Sequence, residues 1–407
     1  MSFYIKIAIP LIAILLLESC HVGRSIFRYK AEITDHKFFP YDEVKKSDEP
    51  FSFFEAQQKI NPRLSIDKQP KVDLTKILEE QTTTTAFLMI QGDSIIYEHY
   101  FRGYKHDDVS MIFSVSKSIT SLLIGIAIDE GLIKSIQDPV TDYIPELRDA
   151  HPYFKELTIE HCLDMRSGLK FNEAYVNPFS HVARLYYGTN QMRLVKGLSF
   201  DHKPGEVHRY ISIATTVLGL VLENVIDVEL ATYLQEKVWK PLGMEYDAKW
   251  SLDDKKHRSA KAFCGISTTA KDLAKIGRLY LNNGNWDGHQ IVSESWITKS
   301  ISPKLENDCY QYQWYNISGN KMTFPDSLSA QADALEHDYA VYKIDQGTTG
   351  EKNWHVHYCE DDYYAAGILS QFLYVDPEKD IIMVRLGEKW DDDMPYVKIF
   401  RAIASSF

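Results

Sequence analysis

The chain has 407 residues, 44% of them hydrophobic and 25% charged, a composition that fits a folded globular protein and excludes a disordered chain or one built of many membrane spans. With 45 basic residues against 57 acidic ones the net charge is −12, so phosphate backbones and anionic lipid surfaces repel it, which speaks against nucleic acid as a partner. The length admits two or three domains, or one large fold carrying an insertion.

In chain order, Met1 to Cys20 holds one basic residue, Lys6, then an apolar run from Ile7 to Leu17 broken by Pro10, then Glu18-Ser19-Cys20. A bilayer-spanning helix needs about 20 apolar residues, so this run is too short to span and fits the apolar core of an export signal. Leu17-Glu18-Ser19-Cys20 resembles a bacterial lipoprotein processing box. The resemblance implies that residues 1–20 are a lipoprotein-type signal peptide and that Cys20 carries a lipid anchor. The protein would then be membrane-tethered in the bacterial cell envelope, facing the periplasm or the cell surface. An uncleaved anchor or an ordinary signal peptide are the alternatives. The other cysteines, Cys162, Cys264, Cys309 and Cys359, allow three pairings that sequence cannot choose among. They lack the C-x-x-C spacing of a zinc or redox site, and are read as buried free thiols.

Residues 21–70 carry Pro40, Pro50, Pro62 and Pro70 and the cluster Phe51, Phe53, Phe54, and read as a tether and a non-periodic arm lying on the fold. Phe87 to Ile90, the pair Gly92-Asp93 and Ile95 to Tyr97 predict a β-hairpin. Val115, Ile119, Leu122, Leu123, Ile126 and Ala127 recur at helical spacing and Gly131 supplies a stop, which predicts a long buried helix over 114–131. Helical pattern dominates 138–300, most clearly at Tyr210 to Asn224 and Leu230 to Trp239. Strands return at Tyr364 to Val375 and Ile381 to Leu386, and a helix near Met394 to Ser405 closes the chain. The prediction is an α+β fold: an antiparallel sheet built from 71–137 and 301–407 and flanked by helices, with 138–300 as an inserted all-α domain.

At the start of the first long helix stands Phe113-Ser114-Val115-Ser116-Lys117. Ser114 and Lys117 are three apart, on one helical face, close enough for an amine to take a hydroxyl proton. A lysine acts as a base in its neutral form, which apolar surroundings and the positive end of a helix dipole both favour. Free N–H groups at the helix start can also hold an oxyanion. Alone, Ser-x-x-Lys is a weak signal, because a capping serine and a solvated lysine give the same pattern.

Downstream come Pro204-Gly205-Glu206-Val207-His208-Arg209-Tyr210-Ile211-Ser212, the break Pro241-Leu242-Gly243-Met244, and the segment from Cys264-Gly265-Ile266-Ser267-Thr268-Thr269 to Gly277. On these residues the chain resembles the serine β-lactamase-related hydrolases. It is closest to the class C-like branch that includes carboxylesterases, D-amino-acid peptidases and 6-aminohexanoate-oligomer hydrolases. The resemblance runs from about residue 80 to the end, and Ser-x-x-Lys is a motif of this superfamily. It implies a β-lactamase/penicillin-binding-protein-like fold in which Ser114 is acylated, Lys117 and Tyr210 move its proton, and Ser212 meets the substrate. The third motif, Lys-Thr-Gly or His-x-Gly in many members, falls on Ala365-Ala366-Gly367-Ile368, without a cation. Gly367 still allows close approach of substrate, and the N–H of Ile368 would join that of Ser114 as the oxyanion hole.

Tyr310, Tyr312, Trp314 and Tyr315 resemble an aromatic segment near the family's site; core packing and pocket lining fit them equally, and Trp314 is taken as a substrate contact. His355-Val356-His357 with Cys359 lacks a second ligand cluster and is set aside as a metal site, and Asp391-Asp392-Asp393 is read as a solvated turn capping the last helix. No cofactor or metal is expected. The expected activity is acyl-enzyme hydrolysis of a small ester, amide or short peptide. The rivals are a β-lactamase or D,D-peptidase, and a non-catalytic member of the fold that binds cell-wall fragments or a partner protein.

Overall fold

The computed structural model describes residues 21–28, 30–64, 71–337, 339–346, 353–391 and 394–407. The expected signal peptide and Cys20 lie outside them, as do Asp392 and Asp393.

Thr84–Gln91 and Ser94–Tyr100 form the expected hairpin. Gly92 and Asp93, at φ +53 and +60, supply the left-handed turn that a two-residue loop between twisted strands requires. From the other end of the chain, Trp354–Gly367, Gln371–Asp376 and Ile381–Gly387 run as an antiparallel meander. Its last strand pairs with Thr84–Gln91, Ile382 opposite Ile90, so one sheet is built from both chain regions. Tyr310–Gln311 and Trp314–Phe324 extend it on one side, with Val341–Gln346 pairing against Trp354–Gly367. On the other side lie Ser94–Tyr100 and the short parallel strand Phe54–Glu55.

Alternation along these strands sorts the side chains onto two faces. Leu373, Val375 and Ile382 meet the helix Ala270–Leu281 at Gly277, while Phe87, Tyr374 and Met383 pack with Tyr396 and Phe400 of the terminal helix Tyr396–Ala404. The helix Val115–Asp129 also lies against the sheet and is buried on every side from Val115 to Ala127. Its polar residues Ser116, Lys117, Ser118, Thr120 and Ser121 are buried with the rest, so the helix has no solvent face to offer.

Three expectations need correction. The stretch read as one strand, Tyr364 to Val375, is two strands joined by a turn at 368–370, where Leu369 and Ser370 have left-handed backbone at φ +62 and +61. Neither is a residue type that announces such a turn. The region 138–300 is not wholly helical. Ala248–Ser251 and Ile266–Thr268 are the central strands of a second sheet, too short to show a period of two, and Ala270–Leu281 belongs to the main sheet's cover. Among the cysteines, Cys162 and Cys264 are buried free thiols, but Cys309 and Cys359 form a disulfide with their Cα atoms 5.7 Å apart.

The arm is also more ordered than a tether. His21–Arg28 is a helix packed on the helix His181–Tyr187. Tyr41–Val44 is the edge of the second sheet, which runs through Ala248–Ser251 and Ile266–Thr268 to Ser110–Met111, the strand that delivers the chain to Ser114. Among the described residues no helix is long and apolar enough to cross a membrane.

Candidate active site

Phe113 is buried with left-handed backbone at φ +47, a conformation that costs a bulky residue of order 1 kcal/mol or more and persists only when its surroundings enforce it. It turns the chain sharply from the strand Ser110–Met111 into the Val115 helix, with Ser114 at the N-cap. The Ser114 hydroxyl does not cap the helix; it is met instead by Lys117 Nζ at 2.8 Å. Lys117 is 1% exposed, and Nζ also donates to the Phe263 carbonyl at 3.0 Å. Both acceptors are neutral oxygens. The ring of Tyr210 stands 5.0 Å from Nζ at its centroid, so the tyrosine approaches the ammonium with its face. Sequence spacing brought the serine and lysine together; Phe263, acting through its backbone, left no sequence signal.

The strand end Ala365-Ala366-Gly367 comes directly against this turn. A Cβ on Gly367 would lie 2.4 Å from the Ile112 carbonyl oxygen and 3.2 Å from the Ser114 nitrogen, so only glycine fits. Ile368, the next residue, lines the same cavity as Ser114. The turn after it is held from below by Arg385, which is fully buried and donates to the carbonyls of Leu369 at 3.1 Å and Ser370 at 2.6 Å. Arg385 also reaches Thr84 Oγ1 at 3.0 Å and forms an ion pair with Asp391. Asp391 therefore anchors this arginine, together with Tyr396 Oη at 2.7 Å, and does not cap the last helix as sequence suggested.

Ser212 opens the helix Ser212–Val225 and lines the cavity, but its N–H and hydroxyl are both taken by Glu173, at 3.0 and 2.5 Å. Tyr175 Oη donates to the same carboxylate at 2.8 Å. Glu173 satisfies a free N–H at a helix start. It lies in an aperiodic loop that gave no sequence signal. Trp314 is not at the site: it is fully buried in the core against Tyr280 and Tyr363, with ring centroids 4.5 and 5.5 Å away. Its neighbour Tyr315 is the one that stacks on Tyr210, at 6.1 Å. Gln313, unmarked in the sequence, ties three helices together. Its side chain donates to the Cys162 and Leu163 carbonyls and accepts from Thr215, while its carbonyl accepts from Ser118.

A family model described as Beta-lactamase matches residues 67–406. The chain belongs to the beta-lactamase family. It is 29% identical over 331 residues to the 6-aminohexanoate-dimer hydrolase of Paenarthrobacter ureafaciens, covering 79% of this chain and 76% of that one. Among solved structures, a Bacillus anthracis protein provisionally assigned as a 6-aminohexanoate-dimer hydrolase superposes with a TM-score of 0.72 at 21% identity over 93% of each chain. EstCE1, a hydrolase with promiscuous acyltransferase activity, superposes with a TM-score of 0.54 at 16% identity, over 79% of this chain and 92% of its own. These structures share the fold.

With the cation missing from the third motif, two other basic residues of this beta-lactamase-family sequence, Arg209 of the second motif and Lys170, are engaged elsewhere. Arg209 donates to the Leu169 and Phe171 carbonyls at 3.1 and 2.9 Å and stands 3.3 Å from Asp201, and Lys170 faces the same aspartate at 3.7 Å. His357 pairs with Asp345 at 3.1 Å, and the neighbouring Cys359 is consumed by its disulfide.

Proposed function

We propose that this beta-lactamase-family chain is a serine hydrolase that acts through an acyl-enzyme on esters or short amides. The observation that carries the reading is the 2.8 Å contact from Lys117 Nζ to Ser114 Oγ beside an open cavity. With Lys117 as the neutral amine, Ser114 Oγ attacks the carbonyl carbon while its proton passes to Nζ, making the ammonium, with Tyr210 as the second proton carrier. The oxyanion is received by the N–H groups of Ser114 and Ile368. Collapse expels the alcohol or amine with that proton, and water then releases the acid by the same route. The hydrolase relatives support this reading, and the acyltransferase activity of EstCE1 is chemistry that an acyl-enzyme allows. The sequence through Cys20 supports a lipid anchor in the cell envelope as a further part of the proposal.

An ester or small amide is favoured over a β-lactam because Ala365 and Ala366 offer no positive charge to a lactam carboxylate, a charge-assisted contact worth about 1.5–3 kcal/mol. The expected result is a higher kcat/KM for nitrophenyl butyrate than for a chromogenic cephalosporin, with Ser114→Ala abolishing both and Ser116→Ala retaining ester turnover. A cephalosporin value near the diffusional ceiling contradicts the preference, and full activity in Ser114→Ala contradicts the mechanism.

A further inference from the structure

The cavity beside Ser114 has a volume of 470 Å³, within the range of about 300–1,000 Å³ usual for small-molecule sites. Its lining is unusual in charge. Among the described residues that line it, Lys30 is the charged side chain, and it stands exposed at the rim. Glu173, a carboxylate beside the lining, is already engaged by Ser212 and Tyr175. The deeper wall is Phe113, Val182, Ala183 and Phe263, while Ile26, Val176 and Trp390 stand at the mouth, 60%, 98% and 53% exposed. Apolar side chains that exposed are ordinary when scattered; here three of them, from three distant parts of the chain, converge on the entrance to one cavity.

We infer that the Ser114 site is built for esters whose acyl group is an uncharged, flexible hydrocarbon chain, drawn in between Ile26, Val176 and Trp390. This inference rests on the acyl-enzyme reading and deepens it. A substrate carrying an ammonium on its acyl chain would have to strip that charge of water where Lys30 repels it and where, among the described residues, no carboxylate lines the wall. A hydrocarbon chain meets no such cost and gains from leaving water, by up to about fourfold in kcat/KM for each methylene fully buried. The arm supplies part of this specificity. Ile26 comes from the helix that packs on His181–Tyr187, and Tyr186, whose hydroxyl donates to Asp35 of the arm at 2.7 Å, lines the cavity.

The experiment is a kcat/KM series on nitrophenyl acetate, butyrate, hexanoate and octanoate, with nitrophenyl 6-trimethylammoniohexanoate as a permanently charged counterpart of the hexanoate. Mass spectrometry follows acylation of Ser114 in parallel. The expected result is a rise of at least tenfold from acetate to hexanoate and a charged ester at least tenfold below the hexanoate. Val176→Asp should flatten the rise beyond butyrate, whereas Leu335→Asp, at an exposed apolar position on the helix Ser327–Glu336, should leave the series unchanged. An acetate value equal to that of hexanoate, or parity of the charged and neutral esters, overturns the inference while acylated Ser114 keeps the hydrolase reading intact. No turnover of any ester with Ser114 unmodified overturns both.

Discussion

Lys117 has two roles that pull in different directions. As a buried ammonium it is costly, because its hydrogen bonds to Ser114 and Phe263 replace water with neutral oxygens and the Tyr210 face adds only a modest cation–π attraction. The proposed mechanism gives such a group a chemical purpose in place of a stabilising one. Lys117→Met keeps the length and fills the same space without the charge. It should leave thermal stability unchanged or raised, while kcat/KM for esters falls by roughly 100- to 10,000-fold, the usual worth of a positioned acid or base. A thermal scan and an ester assay on the same preparation check both halves. A variant that loses stability in step with activity would make Lys117 a structural residue.

At the scale of elements, the site is the meeting of a helix start and a strand end, and each is fixed from behind. The left-handed Phe113 sets the first; the 368–370 turn, hung from Arg385 and from Gln371 Nε2 at 3.0 Å to the Leu369 carbonyl, sets the second. Arg385→Met should cost about 3–5 kcal/mol in chemical denaturation, since it leaves Asp391 in a buried place without its cation. In the fraction that folds, kcat should fall more than KM rises, because in the proposed mechanism the Ile368 N–H is wanted most when the oxyanion forms. An unchanged kcat would show that the turn tolerates the loss. This device was hidden in the sequence because Arg385 sits within an otherwise apolar strand, and an ion pair to a loop has no periodicity to reveal it. The disulfide was hidden for the same reason: Cys309 and Cys359 are 50 residues apart, and the turn before Tyr310–Gln311 meets the strand Trp354–Gly367 only when the sheet folds.

Across the whole molecule, the parts that sequence disclosed are those with a period or a fixed spacing: the hairpin around Gly92-Asp93, the long buried Val115 helix, and the Ser114–Lys117 pair on one helical face. Trp314 was misplaced because composition marks an aromatic segment but not which of its members points at the core. Glu173, Gln313 and the Phe263 carbonyl were missed because loops and backbone atoms carry no pattern. The arm was underestimated, since its short strand Tyr41–Val44 gains stability only by pairing with Ala248–Ser251, two hundred residues on. What this assembly achieves is a half-buried serine hydroxyl held at hydrogen-bond distance from a buried lysine, open to a cavity on one side. The most direct test of its purpose is reaction of the folded protein with a fluorophosphonate, followed by peptide mapping of the adduct. The account predicts a single stoichiometric adduct on Ser114, absent in Ser114→Ala and much slower to form in Lys117→Met. An unlabelled protein, or an adduct on Ser116 or Ser212, would contradict it.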